Sequence, residues 1–378
     1  MKKKTLFFDD CIEGHHLEYI HHLYMNCDNI KDECFIFMLP PTFKLLTDKL
    51  VWPKFTNVNI EFISEKDFVK LKSNGIFKSY YLCLCLKKAV EKHMVSNVFL
   101  ISLMGFMPFL PFFLSRKIKV SGIIYLIYLY RWKNSSLITK VLDSVKYILF
   151  SKSRVFANIY LLNDKVAPIY LNKKFKTSVF GYLPDPFISF PTSNIVKMRS
   201  KFNISNDKIV CLHFGALQER KGTIEILQAI LVANETEISK CCFVFAGKIF
   251  EDIKERFYLL VEEAEKKTQI IVYDKFCEYD FLSLLCFSSN FILIPYKNPE
   301  QSSGLIGYAA QFKIPVIAPH NGLLGKLVKR YKLGHTIKNI NISGMIYFFN
   351  NIENFKMEVD SEYLLDKSVS DFNQIIFS

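Results

Sequence analysis

Long apolar stretches are scarce in this chain. The best candidate, residues 98–114, is shorter than the ~20 residues a membrane-crossing helix needs and carries Pro108 and Pro111. It reads instead as a buried strand, a turn, and a helix that is buried or touches a membrane surface. The N-terminus, MKKKTLFFDD, is basic and then apolar for only four residues, too short for a secretory signal. The ten cysteines form no C-x-x-C pair and no regular spacing, so a zinc ribbon or a disulfide framework is not expected. Cys83 and Cys85 sit in a helix-like apolar run, and Cys241 and Cys242 open a strand-like one. Reduced, buried thiols of a cytosolic protein fit that placement. There is no arginine-rich run, zinc-finger pattern or RNP-like motif, and nucleic acid is not an expected partner. The chain also lacks a G-x-S-x-G elbow, a P-loop and a G-x-G-x-x-G turn, which removes the usual hydrolase, kinase and dinucleotide signatures.

Acidic residues are few as well. Forty-nine Lys and Arg face 36 Asp and Glu, leaving a net charge of +13. The excess is scattered, apart from Lys2, Lys3 and Lys4. An anionic partner follows, either a phosphorylated small molecule or an anionic membrane surface at the inner face of the membrane. What the chain does have is apolar material: half its 378 residues are hydrophobic and 15% are aromatic. That is enough for two cores, and the length suits two domains.

Short apolar runs alternate with longer amphipathic ones. Strands are expected at 5–8, 34–38, 58–63, 98–102 and 122–129, and helices at 15–25, 77–92 and 137–150. The pattern breaks at Pro184-Asp185-Pro186, where two prolines stiffen a connection. It restarts with strands at 209–214, 242–246, 269–272, 290–294 and 315–318, and helices at 223–233, 253–266, 281–287, 302–312 and 323–328. This alternation predicts two doubly wound α/β domains, residues 1–185 and 186–378, facing each other across a cleft. Ligands in such sheets bind beyond the carboxyl ends of the strands.

The most informative stretch is His213-Phe214-Gly215-Ala216-Leu217-Gln218-Glu219-Arg220-Lys221-Gly222-Thr223. A strand ends at Gly215, a loop follows, and a helix begins near Thr223, a candidate N-cap. Arg220 and Lys221 precede that helix start, where the helix dipole already places positive charge. A bound diphosphate removes the conflict and uses the free backbone N–H groups. The other reading is two solvated cations, one paired with Glu219 or Glu225. A second stretch, Pro299-Glu300-Gln301-Ser302-Ser303-Gly304-Leu305, leads into another helix, with Ser302 or Ser303 as cap and Gly304 permitting close ligand approach. Glu300 and Gln301 suit hydrogen bonds to sugar hydroxyls. An ordinary Ser-capped helix with a packed glycine is the alternative.

Together with F-V-F-A-G at 243–247, S-S-G-L-I-G-Y-A-A at 302–310 and P-V-I-A at 315–318, these stretches resemble the donor half of glycosyltransferase family 4, over roughly residues 208–333. The resemblance implies a GT-B fold and a retaining, metal-independent transfer of sugar from a nucleotide diphosphate donor to a carbohydrate or lipid-linked acceptor, with no cofactor. It implies that Arg220 and Lys221 grip the diphosphate, that the backbone N–H groups of Ser303, Gly304 and Leu305 assist, and that a last helix, about 361–378, crosses back to the first domain. The family's E-x7-E motif maps onto Gln301 and Ala309, a departure at both ends; Glu300 replaces the first glutamate by a one-residue slip. The loop after the first strand carries Glu13-Gly14-His15-His16 where the family commonly has G-G. Gly14, His15 and His16 are therefore expected on the acceptor side, against the alternative of a helix merely rich in histidine. Two other functions stay open: a sugar-nucleotide epimerase of related fold, and an inactive partner subunit that binds sugar nucleotide.

Overall fold

The computed structural model describes residues 2–12, 15–45, 51–132, 135–189, 198–338, 341–360 and 362–378. The chain divides into two compact units, Met1–Asp185 with Val369–Ser378, and Pro186–Ser368. Each is a parallel sheet with helices in the connections.

In the first unit the strands are β1 (Lys3–Phe8), β2 (Glu33–Leu39), β3 (Val58–Phe62), β4 (Asn97–Leu100), β5 (Lys119–Ile124), β6 (Phe156–Leu162) and β7 (Phe180–Leu183). They lie in the order β3-β2-β1-β4-β5-β6-β7. In the second unit β8 (Ile209–Phe214), β9 (Cys241–Ala246), β10 (Gln269–Tyr273), β11 (Phe291–Leu293), β12 (Val316–Pro319) and β13 (Gly334–Ile337) lie in the order β10-β9-β8-β11-β12-β13. β8 and β9 are buried along their whole length, which is why they read as continuous apolar runs rather than alternating ones. In each sheet the order reverses beside one strand, β1 in the first and β8 in the second. Those are the points where a doubly wound sheet opens a crevice at its carboxyl edge.

The expected helices form, with shifted ends. His16–Asn26, Gly75–His93 and Leu137–Lys152 belong to the first unit, and Thr223–Val232, Glu251–Glu265, Tyr279–Phe287, Leu305–Phe312 and Gly322–Arg330 to the second. One expected strand needs correction, and one strand went unforeseen. The run 122–129 is not one strand: β5 stops at Ile124 and Tyr128–Arg131 is a helical turn, because an uninterrupted apolar run marks burial without specifying conformation. The run 98–114 keeps its expected order of strand, turn and helix, as β4, a 3-10 turn at Leu103–Phe106 and one helical turn at Leu110–Phe113; Phe106 and Leu110 are buried, leaving Phe112 as its large exposed aromatic. No helix among the described residues is long and apolar enough to cross a membrane. The strand β13 was not expected, since Gly-His-Thr-Ile has no apolar run and pairs on one side only, with β12.

The C-terminal segment closes the first unit's core. Its helix runs from Val369 to Phe377 rather than across the whole of 361–378. Phe372 is fully buried against Tyr19 (5.1 Å between ring centroids), and Phe377 lies 5.7 Å from Phe7, which stacks on Phe37 at 4.7 Å. The Tyr160 hydroxyl donates to the carbonyl of Ile375 at 2.9 Å. Replacing a buried phenylalanine by alanine costs about 3–5 kcal/mol. Phe372→Ala is therefore expected to lower the thermal unfolding midpoint by several degrees. A variant that melts with the wild type would show that this helix is not part of the core.

Candidate functional site

The second unit's crevice strand, β8, ends in His213 and Phe214. His213 is buried, and burial pushes its pKa down to about 4. The neutral ring donates from Nδ1 to the carbonyl of Leu293 on β11 (2.8 Å) and accepts at Nε2 from the Thr223 hydroxyl (2.9 Å). The two ends of the loop 215–222 are thereby tied to each other and to the neighbouring strand. Thr223 is the first helical residue rather than the cap. The N-cap is Gly222, at φ +74°, and a Cβ there would stand 2.3 Å from the carbonyl oxygen of Pro295. Glycine is needed for both reasons. Gly215 at the start of the loop also has positive φ (+96°).

Arg220 and Lys221 lie in the 3-10 turn Glu219–Lys221, immediately before the helix. Neither forms an ion pair among the described residues. The expected alternative, pairing with Glu219 or Glu225, is overturned: both carboxylates are taken by Lys297, at 2.6 Å in the case of Glu225. Arg220 is exposed and spends its Nε on the Gln218 side chain (2.9 Å). Lys221 is half-buried, lies over the Tyr296 ring at 4.2 Å, and donates to the Tyr296 hydroxyl at 2.7 Å.

That hydroxyl also accepts from Ser303 (3.3 Å), so Tyr296 joins the two stretches singled out from sequence. The helix after them begins at Leu305, and its N-cap is Gly304 rather than Ser302 or Ser303. Gly304 has φ −57°, an ordinary helical value. Ser303 is buried and its Oγ accepts from the N–H of Leu305 at 3.4 Å, while Glu300, Gln301 and Ser302 are half-buried along the approach. Ala309 is fully buried, so this helix offers no carboxylate at that position. A cavity of 620 Å³ adjoins the loop, lined by Gln218, Arg220, Lys248, Phe250 and Asn298 among others. It shares only Arg220 with the expected donor residues and therefore neighbours the constellation around Tyr296 without coinciding with it.

In the first unit the corresponding loop follows β1. Gly14 lies outside the described residues. His15 is exposed and stands 3.7 Å from Glu18; His16 opens the helix His16–Asn26. His16 Nδ1 is 2.7 Å from Oδ2 of Asp9, whose other oxygen accepts from the N–H of Cys11. Burial raises the Asp9 pKa to about 6, against the lowering effect of His16. The His16 ring stacks on Tyr125 at 5.4 Å, and Tyr125 has a buried hydroxyl with no hydrogen-bond partner among the described residues. Tyr19 donates to Asp185. Asp10 pairs with Lys78 at 2.8 Å rather than with a histidine. Asp9, Tyr125, Tyr296 and Lys297 were all missed from sequence. Only Asp9 left a signal there, a buried-strand terminus followed by a histidine-opened helix.

No family model and no curated protein matches the chain in sequence. Solved structures do match it end to end. HepE from Anabaena in complex with UDP-glucose has a TM-score of 0.67 at 14% identity, covering 99% of this chain and 98% of that one. WaaG, a glycosyltransferase involved in lipopolysaccharide biosynthesis, has 0.63 at 11%, covering 99% and 95%. A sucrose-phosphate synthase from Thermosynechococcus elongatus has 0.64 at 11%, covering 99% and 93%. The fold is GT-B. At these identities the likeness is one of architecture, and chemistry has to be argued from this chain's own side chains.

Two of those side chains give opposite pH dependences. Asp9 rises from 3.8 unfolded to about 6 folded, so its contribution to stability is full below 3.8 and is lost as pH rises through 6. His213 falls from 6.5 to about 4, so its contribution is full above 6.5 and is lost as pH falls through 4. Each amounts to about 3 kcal/mol at most. Relative to wild type, the melting temperature of Asp9→Asn is expected to improve between pH 4 and 6. That of His213→Asn improves in the other direction, from pH 6.5 down to 4. Parallel curves in either scan would contradict the assignment.

Proposed function

We propose that this chain is a glycosyltransferase that moves a sugar from a nucleoside diphosphate donor to a carbohydrate or lipid-linked acceptor, with retention, in surface polysaccharide synthesis at the inner face of a membrane. The observation that carries this reading is the pair Arg220 and Lys221, held at the positive end of a helix while Lys297 occupies both nearby carboxylates. Two uncompensated cations there are unfavourable unless an anion fills the loop in the working state. Arg220 has the fork that matches a phosphate bidentately, and Lys221 acts as a point charge. As the bond between the anomeric carbon and the diphosphate oxygen breaks, its electron pair stays on the diphosphate, and these contacts strengthen. No cofactor is assigned; the charge is met by side chains and by the helix end.

Retention rests on the resemblance to family 4, in which the leaving phosphate helps take the acceptor proton. His16 is assigned to the acceptor side. The Asp9 carboxylate engages its Nδ1, which leaves Nε2 as the ring nitrogen assigned to bound sugar. The second reading, a subunit that binds sugar nucleotide without turning it over, draws on the buried Ala309 where the family has its second glutamate.

Thermal shift with UDP and UDP-glucose, followed by donor hydrolysis or transfer, separates the two readings. Arg220→Ala/Lys221→Ala is expected to abolish nucleotide-induced stabilisation and to cost transfer about 2–4 kcal/mol per contact. The unliganded protein should melt at the same temperature or slightly higher. A double variant that binds and transfers normally would sink the donor-site assignment. Separately, His16→Ala is expected to lower turnover at saturating donor more than donor affinity. Collapse of donor affinity with turnover intact would remove His16 from the acceptor side.

A further inference from the structure

The helix Leu137–Lys152 is amphipathic in an unusual sense: its apolar residues face water as well as the core. Asp143, Tyr147 and Phe150 are buried beneath it, while Leu137 (80% exposed), Ile138 (73%), Val141 (62%), Leu142, Val145 and Ile148 line the outer side. These positions recur at intervals of three and four residues and form one stripe along about three turns. Beside it, the helix Ala167–Phe175 exposes Ile169 and Tyr170. Trp132 bridges the two, its ring covered by Lys140 of the first helix and by Lys174 of the second. An apolar surface of this length on a soluble face marks an interaction site.

Charge specifies the occupant. Residues 131–182 carry ten Lys or Arg and two Asp, a net +8 within a chain of +13. Both aspartates are buried, and Asp143 is further neutralised by Arg131, whose guanidinium donates to it at 2.7 Å. Lys140, Lys146, Lys152, Lys173 and Lys174 border the stripe, and none is in an ion pair among the described residues. We infer that this face seats the protein on an anionic lipid surface, the apolar stripe sinking into the headgroup boundary and the lysines meeting lipid phosphates. This deepens the membrane-side part of the proposed function and centres it on this helix rather than on residues 106–113, where Phe106 is buried, Phe109 and Phe113 are half-buried and Phe112 alone is exposed. A second copy of the chain is the competing occupant, and it is disfavoured because two such faces would oppose two dense fields of positive charge.

The test is co-sedimentation of the full chain with vesicles of phosphatidylcholine alone and of phosphatidylcholine with phosphatidylglycerol, at low and physiological salt. Wild type is expected to partition at least tenfold more strongly onto the anionic vesicles, with binding weakened by salt. Ile138→Glu/Val141→Glu should lose at least tenfold of that partition, and Phe112→Ser should stay within twofold of wild type. Both substituted positions are largely exposed, and an unchanged melting temperature and UDP-induced shift would verify that the variant is folded. If it is not, Leu137→Ser replaces it as the milder probe. Equal partition of the double variant and wild type, or equal partition of wild type onto both vesicle types, overturns the inference. So does a wild-type dimer in size-exclusion chromatography that the double variant dissociates. The UDP-induced shift is read without lipid, so loss of vesicle binding with that shift intact refutes this face and leaves the donor site standing, and the converse refutes the donor site alone.

Discussion

A single buried imidazole organises the second unit's site. His213 is uncharged, and its two ring nitrogens bind two different elements, the strand β11 and the start of the helix Thr223–Val232. The segment from Gly215 to Gly222 is anchored at its ends by those two attachments and along its length by backbone bonds to Ala246 and Lys248. The loop can be held this tightly only because its backbone packs directly on its neighbours. Gly247 abuts the carbonyl of Gly215, where a Cβ would come within 1.9 Å, and Gly222 abuts Pro295. The loop that carries Arg220 and Lys221 is thus set largely by backbone contacts and a neutral hydrogen-bonded core group, to which Lys221 adds its bond to Tyr296.

The two units solve the placement of charge differently. In the second, Lys297 removes Glu219 and Glu225 from play, and the cations near the helix start keep their charge for something else. In the first, a carboxylate is driven toward neutrality by burial and is held by one histidine. One crevice keeps two cations with no ion pair among the described residues, and the other holds one imidazole against a buried carboxylate.

Most of the architecture was legible because strands buried on both faces leave unbroken apolar runs, as in Ile209–Phe214 and Cys241–Ala246. The cations stood out in the sequence because they precede a helix start, where the helix dipole is already positive. What escaped was set by contacts distant in sequence. Tyr296 reaches Lys221 across 75 positions and Lys297 reaches Glu219 across 78, and no local pattern announces either. Thr223 looked like a cap because its chemistry suits one. Gly222 takes the role because Pro295 leaves no room for a side chain. Among helix positions, periodicity identified an apolar stripe at 137–150 but not that a second apolar side would be left facing water.

The first unit is discontinuous in the chain, and that bears on how the protein is made. Its crevice helix packs on Phe372, and Asn373 donates to the carbonyl of His22 at 3.3 Å, yet both residues follow the whole of the second unit. During synthesis the second unit emerges as a continuous segment and can fold without waiting for anything beyond it. The first unit emerges earlier but remains unfinished, its aromatic core open beside Tyr19 and Phe7, until the segment from Val369 onward arrives. The order of completion is the reverse of the order of emergence, and in that interval the nascent chain exposes the surface on which a chaperone, or a wrong partner, would act.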